Sequence, residues 1–394
     1  MFESLSTPAP DKIIQLIGLF AADPRPDKVD LGVGVYRAPD GRTPIMRAVK
    51  EAEKRVWDAQ ETKAYVGFAG DPAFHAAMRQ LILGDAVPMD RVAACATPGG
   101  TGAVRQILEM TREVTPEARI WISDPSWPNH AVIVDHLGLS RRSYRYYDAA
   151  TGGIDRDGMY TDLADAKPGD LILLHGCCHN PTGADLLRDD WARVAQLCAQ
   201  TGAIPFIDMA YQGFGDGLEE DAAGTRLLAA QLPECLIAAS GSKNFGLYRD
   251  RVGIALAVTS GGAARDAAAE QLVAMNRKAY SFPPDHGARI VDVIVSDEAL
   301  LADWAGELAD MRVSMQANRK ALADELRAAM GSDRFGFLAS HKGMFSLCGI
   351  TPEQAVELRE GHGVYIVEDG RVNVAGLTPS NIPIVAKAMA AVLR

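Results

Sequence analysis

The chain of 394 residues contains no apolar run approaching the roughly 18 residues that a membrane-spanning helix needs, so no transmembrane segment is expected. Its start, Met1-Phe2-Glu3-Ser4-Leu5, lacks the basic opening and apolar core of a secretory signal. Basic blocks and basic-aromatic alternation are also missing. With a net charge of −11, the chain offers nothing for nucleic acid, and neither nucleic acid nor membrane is expected as a partner. Cysteine is scarce. Six in this length do not make a disulfide scaffold and read as reduced thiols of a cytoplasmic protein. Histidine, eight in all, leaves few metal ligands. His175-Gly176-Cys177-Cys178-His179 has a metal-like look, but its adjacent cysteines lack the spacer of common zinc sites, and no metal is expected.

What remains is ordinary globular composition, 48% hydrophobic and 23% charged, in a length suited to about two domains. Short apolar runs at 119–123, 171–175, 204–208 and 235–239 read as strands. Between them lie helical patterns such as Asp189 to Thr201, which opens on acidic residues and stops at Gly202. This alternation predicts an α/β fold with a mainly parallel sheet covered by helices. From about Glu298 a long Ala-, Leu- and Arg-rich helix is followed by strands near Phe335-Gly336-Phe337 and Val364-Tyr365-Ile366-Val367. The reading divides the chain into an N-terminal segment, 1–41, packing on a small α+β domain, 298–394, with a large domain, 42–297, between them.

The polar clusters fall just after the apolar runs, where open α/β sheets place their ligands. Ser240-Gly241-Ser242-Lys243-Asn244-Phe245-Gly246, followed by Arg251, combines a lysine with small hydroxyls and a guanidinium. That set suits an amine that attacks a carbonyl beside a bound phosphate. Pro98-Gly99-Gly100-Thr101-Gly102 precedes a helical pattern and reads as a tight turn or as a loop aiming amides at a phosphate. Asp208 is either a helix cap or a carboxylate set against a cationic ring nitrogen. Trp127, in the Pro-restricted segment Asp124-Pro125-Ser126-Trp127-Pro128-Asn129-His130, is a core filler or a flat face for a ring. His130 suits a supporting partner of Asp208. Asn180-Pro181-Thr182-Gly183 carries turn chemistry after its strand. Arg277 and Arg371 are surface ion-pair residues or bidentate carboxylate binders. Lys243, Asp208 and a phosphate loop together meet the needs of pyridoxal phosphate: covalent anchor, pyridinium partner and phosphate cradle.

These motifs, with Asp30-Leu31-Gly32-Val33-Gly34-Val35-Tyr36 and Thr62-Lys63-Ala64-Tyr65-Val66-Gly67, run in register along nearly the whole chain. They resemble the class I, fold type I pyridoxal-phosphate aminotransferases, in particular the aspartate and aromatic amino acid subgroup. The resemblance implies a seven-stranded, mainly parallel sheet and a ping-pong exchange of amino groups between amino acids and 2-oxo acids. Lys243 would carry the cofactor as an aldimine and move the substrate Cα proton. Asp208, backed by His130, would bond the ring nitrogen, Asn180 and Tyr211 the ring hydroxyl, and Trp127 would stack on the ring. Gly100, Thr101, Ser240, Ser242 and Arg251 would hold the phosphate, with Tyr65 reaching it from the second subunit of a homodimer. Arg371, with Gly34, Trp127 and Asn180 around the substrate, would take the α-carboxylate, and Arg277 of the neighbouring subunit a side-chain carboxylate.

Three departures touch substrate choice: Gly99 stands where many relatives carry serine, Phe282 where aspartate-specialised relatives often carry asparagine, and Ala64 where a polar residue is frequent. The changes at Phe282 and Ala64 make the side-chain pocket less polar and point to dual use of aromatic and dicarboxylic amino acids. The alternatives are a dicarboxylate-specific aspartate aminotransferase, a pyridoxal-phosphate lyase, or a non-catalytic effector-binding module. A dinucleotide-binding dehydrogenase is not supported, because Gly32-Val33-Gly34 does not continue to a third glycine before a helix.

Overall fold

Seven strands pair into one sheet in a computed structural model that describes residues 2–6, 12–38 and 40–393. Across the sheet the strands run Val92–Pro98, Val252–Val258, Cys235–Ser240, Ile204–Met209, Leu171–His175, Arg119–Asp124 and Ser140–Arg145. Val252–Val258 is antiparallel to both neighbours, and the other pairings are parallel. The central strands are apolar up to their polar C-terminal ends because helices cover both faces. Ile207, Ile237 and Ile254 face one core, and Phe206, Leu236 and Ala255 face the other. The helix predicted over 189–201 spans Arg188–Thr201. The Asp190 carboxylate accepts from Leu187 N at its start, and Gly202, at φ 75°, ends it in a left-handed cap that suits glycine.

A helix of 33 residues, Glu298–Met330, starts on Asp297, whose carboxylate accepts from the amides of Ala299 and Leu300. Its first half buries Trp304 and Leu308 in the core of the sheet, and its second half buries Leu322 and Leu326 in a separate core. That second core gathers Val364, Val372, Val385 and Met389 from the C-terminal segment. The N-terminal segment lies on it: Val29–Asp30 pairs in parallel with Val364–Tyr365, and Leu16 of the helix Lys12–Ala22 packs on Tyr365 and Val367.

Two expectations need correction. Phe335-Gly336-Phe337 is not a strand. Gly336–Ala339 is a 3₁₀ turn that buries Phe335 and Leu338, three residues apart, which is the period of that turn and not of a strand. Ile366 and Val367 are buried but lie beyond the two-residue strand Val364–Tyr365.

Candidate active site

Neighbouring strand ends converge on a cleft of about 250 Å³. Ser240 is the last residue of its strand, and Ser242 and Lys243 follow in a turn. The turn is tied on both sides. Ser242 N donates to Ser240 Oγ at 3.1 Å and Gly241 N to Val252 O at 3.0 Å. From the long helix, Trp304 Nε1 donates to Asn244 O at 2.8 Å while its ring stacks on Phe245 at 4.4 Å. Lys243 Nζ sits 4.3 Å from the centre of the Tyr211 ring. Burial strips water from the amine, and Arg251 and Arg371 oppose its charge. Against the attraction of Asp208 these bring its pKa down to about 8. A neutral, nucleophilic amine is therefore accessible near neutral pH.

Asp208, one residue before the end of its strand, accepts from His130 Nε2 at 2.8 Å. Burial pushes its pKa up, but the His130 hydrogen bond and the nearby His175 and Lys243 outweigh it and hold the carboxyl below its ordinary value. Behind it, Ser126 Oγ lies 3.0 Å from both His130 Nδ1 and His175 Nε2. Burial and the neighbouring His130 drive His175 down to about 3, so it stays neutral. Trp127, on the same segment, meets His130 edge-on at 5.1 Å, so one histidine orients both the carboxylate and the indole.

The glycine segment is not a free loop: Gly99 already begins the helix Gly99–Val114. At φ +73°, and with a Cβ that would fall 2.3 Å from Arg251 Nη2, position 99 would take a side chain only at the cost of backbone strain and a shift of that guanidinium. At Gly100 a Cβ would lie 3.0 Å from that of Ser240. The helix N-terminus, Thr101, Ser240 and Ser242 therefore close on one end of the cleft. Arg251 Nη1 approaches Ser242 Oγ at 3.3 Å there. Among the described residues Arg251 has no carboxylate partner.

Arg371 comes from the second core, in the strand Arg371–Asn373. It is 5% exposed, donates from Nη1 to Asn180 Oδ1 at 3.2 Å and lies over the Phe345 ring at 4.5 Å. Its Nε is buried without a partner. Gly34 lets the Phe345 ring come close, since a Cβ there would be 2.7 Å from Phe345 Cζ. Tyr211 completes this wall, its hydroxyl pKa raised by burial.

Gly34, Gly100, Thr101, Trp127, Asn180, Asp208, Tyr211, Ser240, Ser242, Lys243, Arg251 and Arg371 thus share one cleft. Tyr65 and Arg277 do not line it. Both are exposed, and they lie beside one another through the rings of Phe68 and Phe282. The sequence reading missed Tyr248, Phe345, His175 and Ile13, which also line the cleft. Tyr248 lies close enough to the lysine motif to have been noticed, whereas Phe345 carries no local signal. Cys177, Cys178 and Asp221 approach within 4.8 Å. Asp221, however, already accepts from the amides of Gly213, Gly215 and Asp216, and burial pushes the Cys178 thiol up to about 12, against thiolate ligation.

The sequence profile of aminotransferase class I and II matches residues 26–389 of this chain. The chain belongs to that aminotransferase family. The aromatic-amino-acid aminotransferase of Paracoccus denitrificans is 54% identical to it, with 99% of each chain covered. The aspartate aminotransferase of Escherichia coli is 44% identical, with 100% of both covered. The structure of the aromatic-amino-acid aminotransferase of Burkholderia pseudomallei, covalently bound to pyridoxal phosphate, superposes with a TM-score of 0.97 at 41% identity and full coverage of both chains. The mainly parallel seven-stranded sheet of this aminotransferase is the one its motifs imply.

Proposed function

We propose that this aminotransferase uses pyridoxal phosphate to exchange amino groups between aromatic amino acids or aspartate and 2-oxo acids such as 2-oxoglutarate or oxaloacetate. The observation that carries the proposal is the content of one cleft: a lysine amine lowered by burial, a buried carboxylate, and two cations without carboxylate partners at opposite roles, Arg251 beside the hydroxyls and Arg371 with its orphaned Nε. Those residues fit the cofactor's three handles, namely aldehyde, ring nitrogen and phosphate. When bound, pyridoxal phosphate supplies a carbonyl for covalent exchange of the amino group and a protonated ring that draws electron density from the substrate carbon.

The protein's own groups do the rest. Lys243 is the covalent anchor and then takes and returns the proton of the substrate Cα, a role for which an amine near pKa 8 is matched to neutral pH. Asp208, kept ionised by His130, holds the proton on the ring nitrogen. Asn180 and Tyr211 take the ring hydroxyl, and Trp127 covers one face of the ring. Gly100, Thr101, Ser240, Ser242 and Arg251 hold the phosphate against a helix N-terminus, where amides and dipole favour an anion. Arg371 binds the α-carboxylate, its planar fork backed by Phe345 and Asn180.

Tyr65, 84% exposed, and Arg277, also exposed, do not line their own cleft, which suits donation to the cleft of a second copy. We infer a homodimer in which Tyr65 reaches the neighbouring phosphate and Arg277 the substrate's distal carboxylate. Dual substrate use is supported by the names of the similar enzymes and by the apolar Phe282 and Ala64 beside these two residues. A dicarboxylate-only enzyme is less supported, since the 54% identical relative is an aromatic-amino-acid aminotransferase. The test is a stopped-flow absorbance titration of the purified enzyme with aspartate and, separately, phenylalanine. Conversion of the bound cofactor to its amine form by both supports the reading. Conversion by aspartate alone makes the enzyme a dicarboxylate specialist, and the lack of any bound chromophore removes the cofactor.

A further inference from the structure

Arg319, on the helix Glu298–Met330, is 1% exposed and has no carboxylate partner among the described residues. Burial pushes its pKa down to about 10, which leaves it charged at neutral pH. Its hydrogen bonds go to one segment. Nη2 donates to Lys342 O at 3.0 Å, Gly343 O at 2.7 Å and Phe345 O at 2.8 Å, and Nη1 donates to Ser346 Oγ at 2.5 Å. A buried cation is costly unless oriented dipoles replace water, and these four acceptors do so. Gly343, at φ +73°, supplies the left-handed residue of the turn that presents them.

The Ser346 hydroxyl is fixed from its other side as well. Gly152 O can only accept, so His341 Nε2, 2.6 Å away, carries the ring proton. Burial, helped by the Arg319 charge, holds that ring neutral, its pKa brought down to about 4. Nδ1 therefore accepts from Ser346 Oγ at 3.0 Å, and the hydroxyl oxygen is left to accept from Arg319. One consistent chain of donors runs from the guanidinium to a carbonyl of a distant turn.

The segment held in this way is the seat of Arg371. Phe345–Leu347 pairs antiparallel with Arg371–Asn373, with Leu347 opposite Arg371, and the Arg371 guanidinium lies over the Phe345 ring at 4.5 Å. The other support of Arg371, Asn180, belongs to a turn that meets the same segment. There Lys342 N donates to Gly183 O at 2.8 Å, and a Cβ at Gly183 would fall 2.4 Å from Phe345 O. Both supports of Arg371 thus meet at the residues that Arg319 binds.

We propose that Arg319 is a positioning residue for substrate binding: by gathering the carbonyls of 342–345 and the Ser346 hydroxyl it fixes Phe345 under Arg371, and so sets how well the enzyme takes the α-carboxylate of every amino acid it accepts. A side chain without the fork leaves those acceptors buried and short of donors, and the segment shifts to find others. Phe345 shifts with it, and Arg371 keeps its charge but loses its fixed geometry. The α-carboxylate is common to all amino acid donors, so the loss falls on each alike. This rests on Arg371 taking that carboxylate, and the experiment separates the two claims.

The holoenzyme and its Arg319→Gln and Arg319→Lys variants are compared for kcat and KM with aspartate and with phenylalanine, each alone and combined with Arg371→Leu. The dissociation constants of 3-phenylpropionate, which has a carboxylate and no amine, and of pyridoxal phosphate are measured on the same proteins. Arg319→Gln is expected to raise KM for both donors about tenfold, the factor that one lost hydrogen bond carries, with kcat kept within about twofold. The affinity for 3-phenylpropionate should fall in step, and that for pyridoxal phosphate should stay within about twofold. Arg319→Lys keeps the charge and three donors without the fork, so its KM should rise only about threefold. In the Arg371→Leu background either Arg319 change should cost less than about twofold in kcat/KM, because the residue acts through Arg371. A full loss persisting in that background reports general packing and overturns the inference, as does a matching loss of cofactor affinity. A wild-type KM in the glutamine variant, or in the lysine variant when the glutamine variant does not fold, overturns it too. If Arg371→Leu alone spares both donors, the assignment of Arg371 fails and Arg319 falls with it, whereas a loss there beside a wild-type KM in the Arg319 variants sinks only Arg319.

Discussion

Replacing Arg371 tests the substrate end of the cleft. Arg371→Leu removes the guanidinium that lies over Phe345, from a residue that is 5% exposed, and leaves an apolar side chain of smaller size. A bidentate pair with an α-carboxylate comprises two hydrogen bonds to charged groups, each worth about 1.5–3 kcal/mol, so the loss is about 3–6 kcal/mol. In kcat/KM this is roughly 10²- to 10⁴-fold. It should be the same for aspartate and phenylalanine, because both carry the α-carboxylate. Arg371→Lys keeps the charge without the fork and should recover part of the loss on both. Stability responds differently. The change leaves Asn180 Oδ1 without its donor at 3.2 Å but also removes a buried cation whose Nε has no partner. Those contributions oppose one another, so the melting temperature should move little. Steady-state kinetics on both donors and a thermal melt decide it. Either substrate losing less than about fivefold, or aspartate losing far more than phenylalanine, would refute the assignment of Arg371 to the shared carboxylate.

Lys243→Ala should abolish turnover while pyridoxal phosphate still co-purifies or rebinds through its phosphate; absorbance after gel filtration measures the bound fraction, and near-normal turnover refutes the role. The lowered pKa of Lys243 also sets a pH signature in the cofactor-free protein. Below about 8 the amine is charged in both folded and unfolded chains and its burial is destabilising. Between 8 and the ordinary lysine value of 10.5 the unfolded chain binds the extra proton, so stability rises with pH. Lys243→Met should therefore raise the melting temperature of the cofactor-free protein at pH 7, with an advantage that fades by pH 10.5, and an advantage independent of pH would contradict the cause given. Gly34→Ala places a Cβ 2.7 Å from Phe345 Cζ and should displace the ring that supports Arg371, raising KM for all donors several-fold with the cofactor spectrum unchanged. His130→Phe removes the 2.8 Å bond to Asp208 and should lower kcat about tenfold or more, the worth of one bond to a charged group, and an unchanged kcat would exclude His130 from supporting the ring partner.

Much of the fold was legible because local chemistry and global topology agree. The runs at 171–174, 204–207 and 235–239 are unbroken and apolar, which two-sided burial in a parallel sheet requires, and the helix ending at Gly202 carries its own stop signal. Phe335-Gly336-Phe337 was misread because an apolar-glycine-apolar triplet fits both a strand and a short turn. Phe335 and Leu338 were drawn inward together by the second core, and only that core could choose between the two. At the glycine segment the sequence left a tight turn and a phosphate loop open. Gly99 starts the helix, and what crowds a side chain there is the guanidinium of Arg251, far along the chain.

By itself the sequence determined where the groups proposed to do the chemistry would lie, because each falls at a strand end whose position is set by its own apolar run: Lys243 after Cys235–Ser240, Asp208 at the end of Ile204–Met209, Asn180 after Leu171–His175. Only the tertiary structure decided how those groups behave. Burial and the two arginines lower Lys243, a hydrogen bond from His130 keeps Asp208 ionised, and Phe345 and Asn180, far apart in the chain, both contact Arg371. It also separated Tyr65 and Arg277 from their own cleft and joined them through Phe282 and Phe68. Residue type and strand register are carried by the local chain. A pKa, a ring stack or an orphaned cation is a property of what distant segments bring within a few ångströms, and no local pattern encodes it.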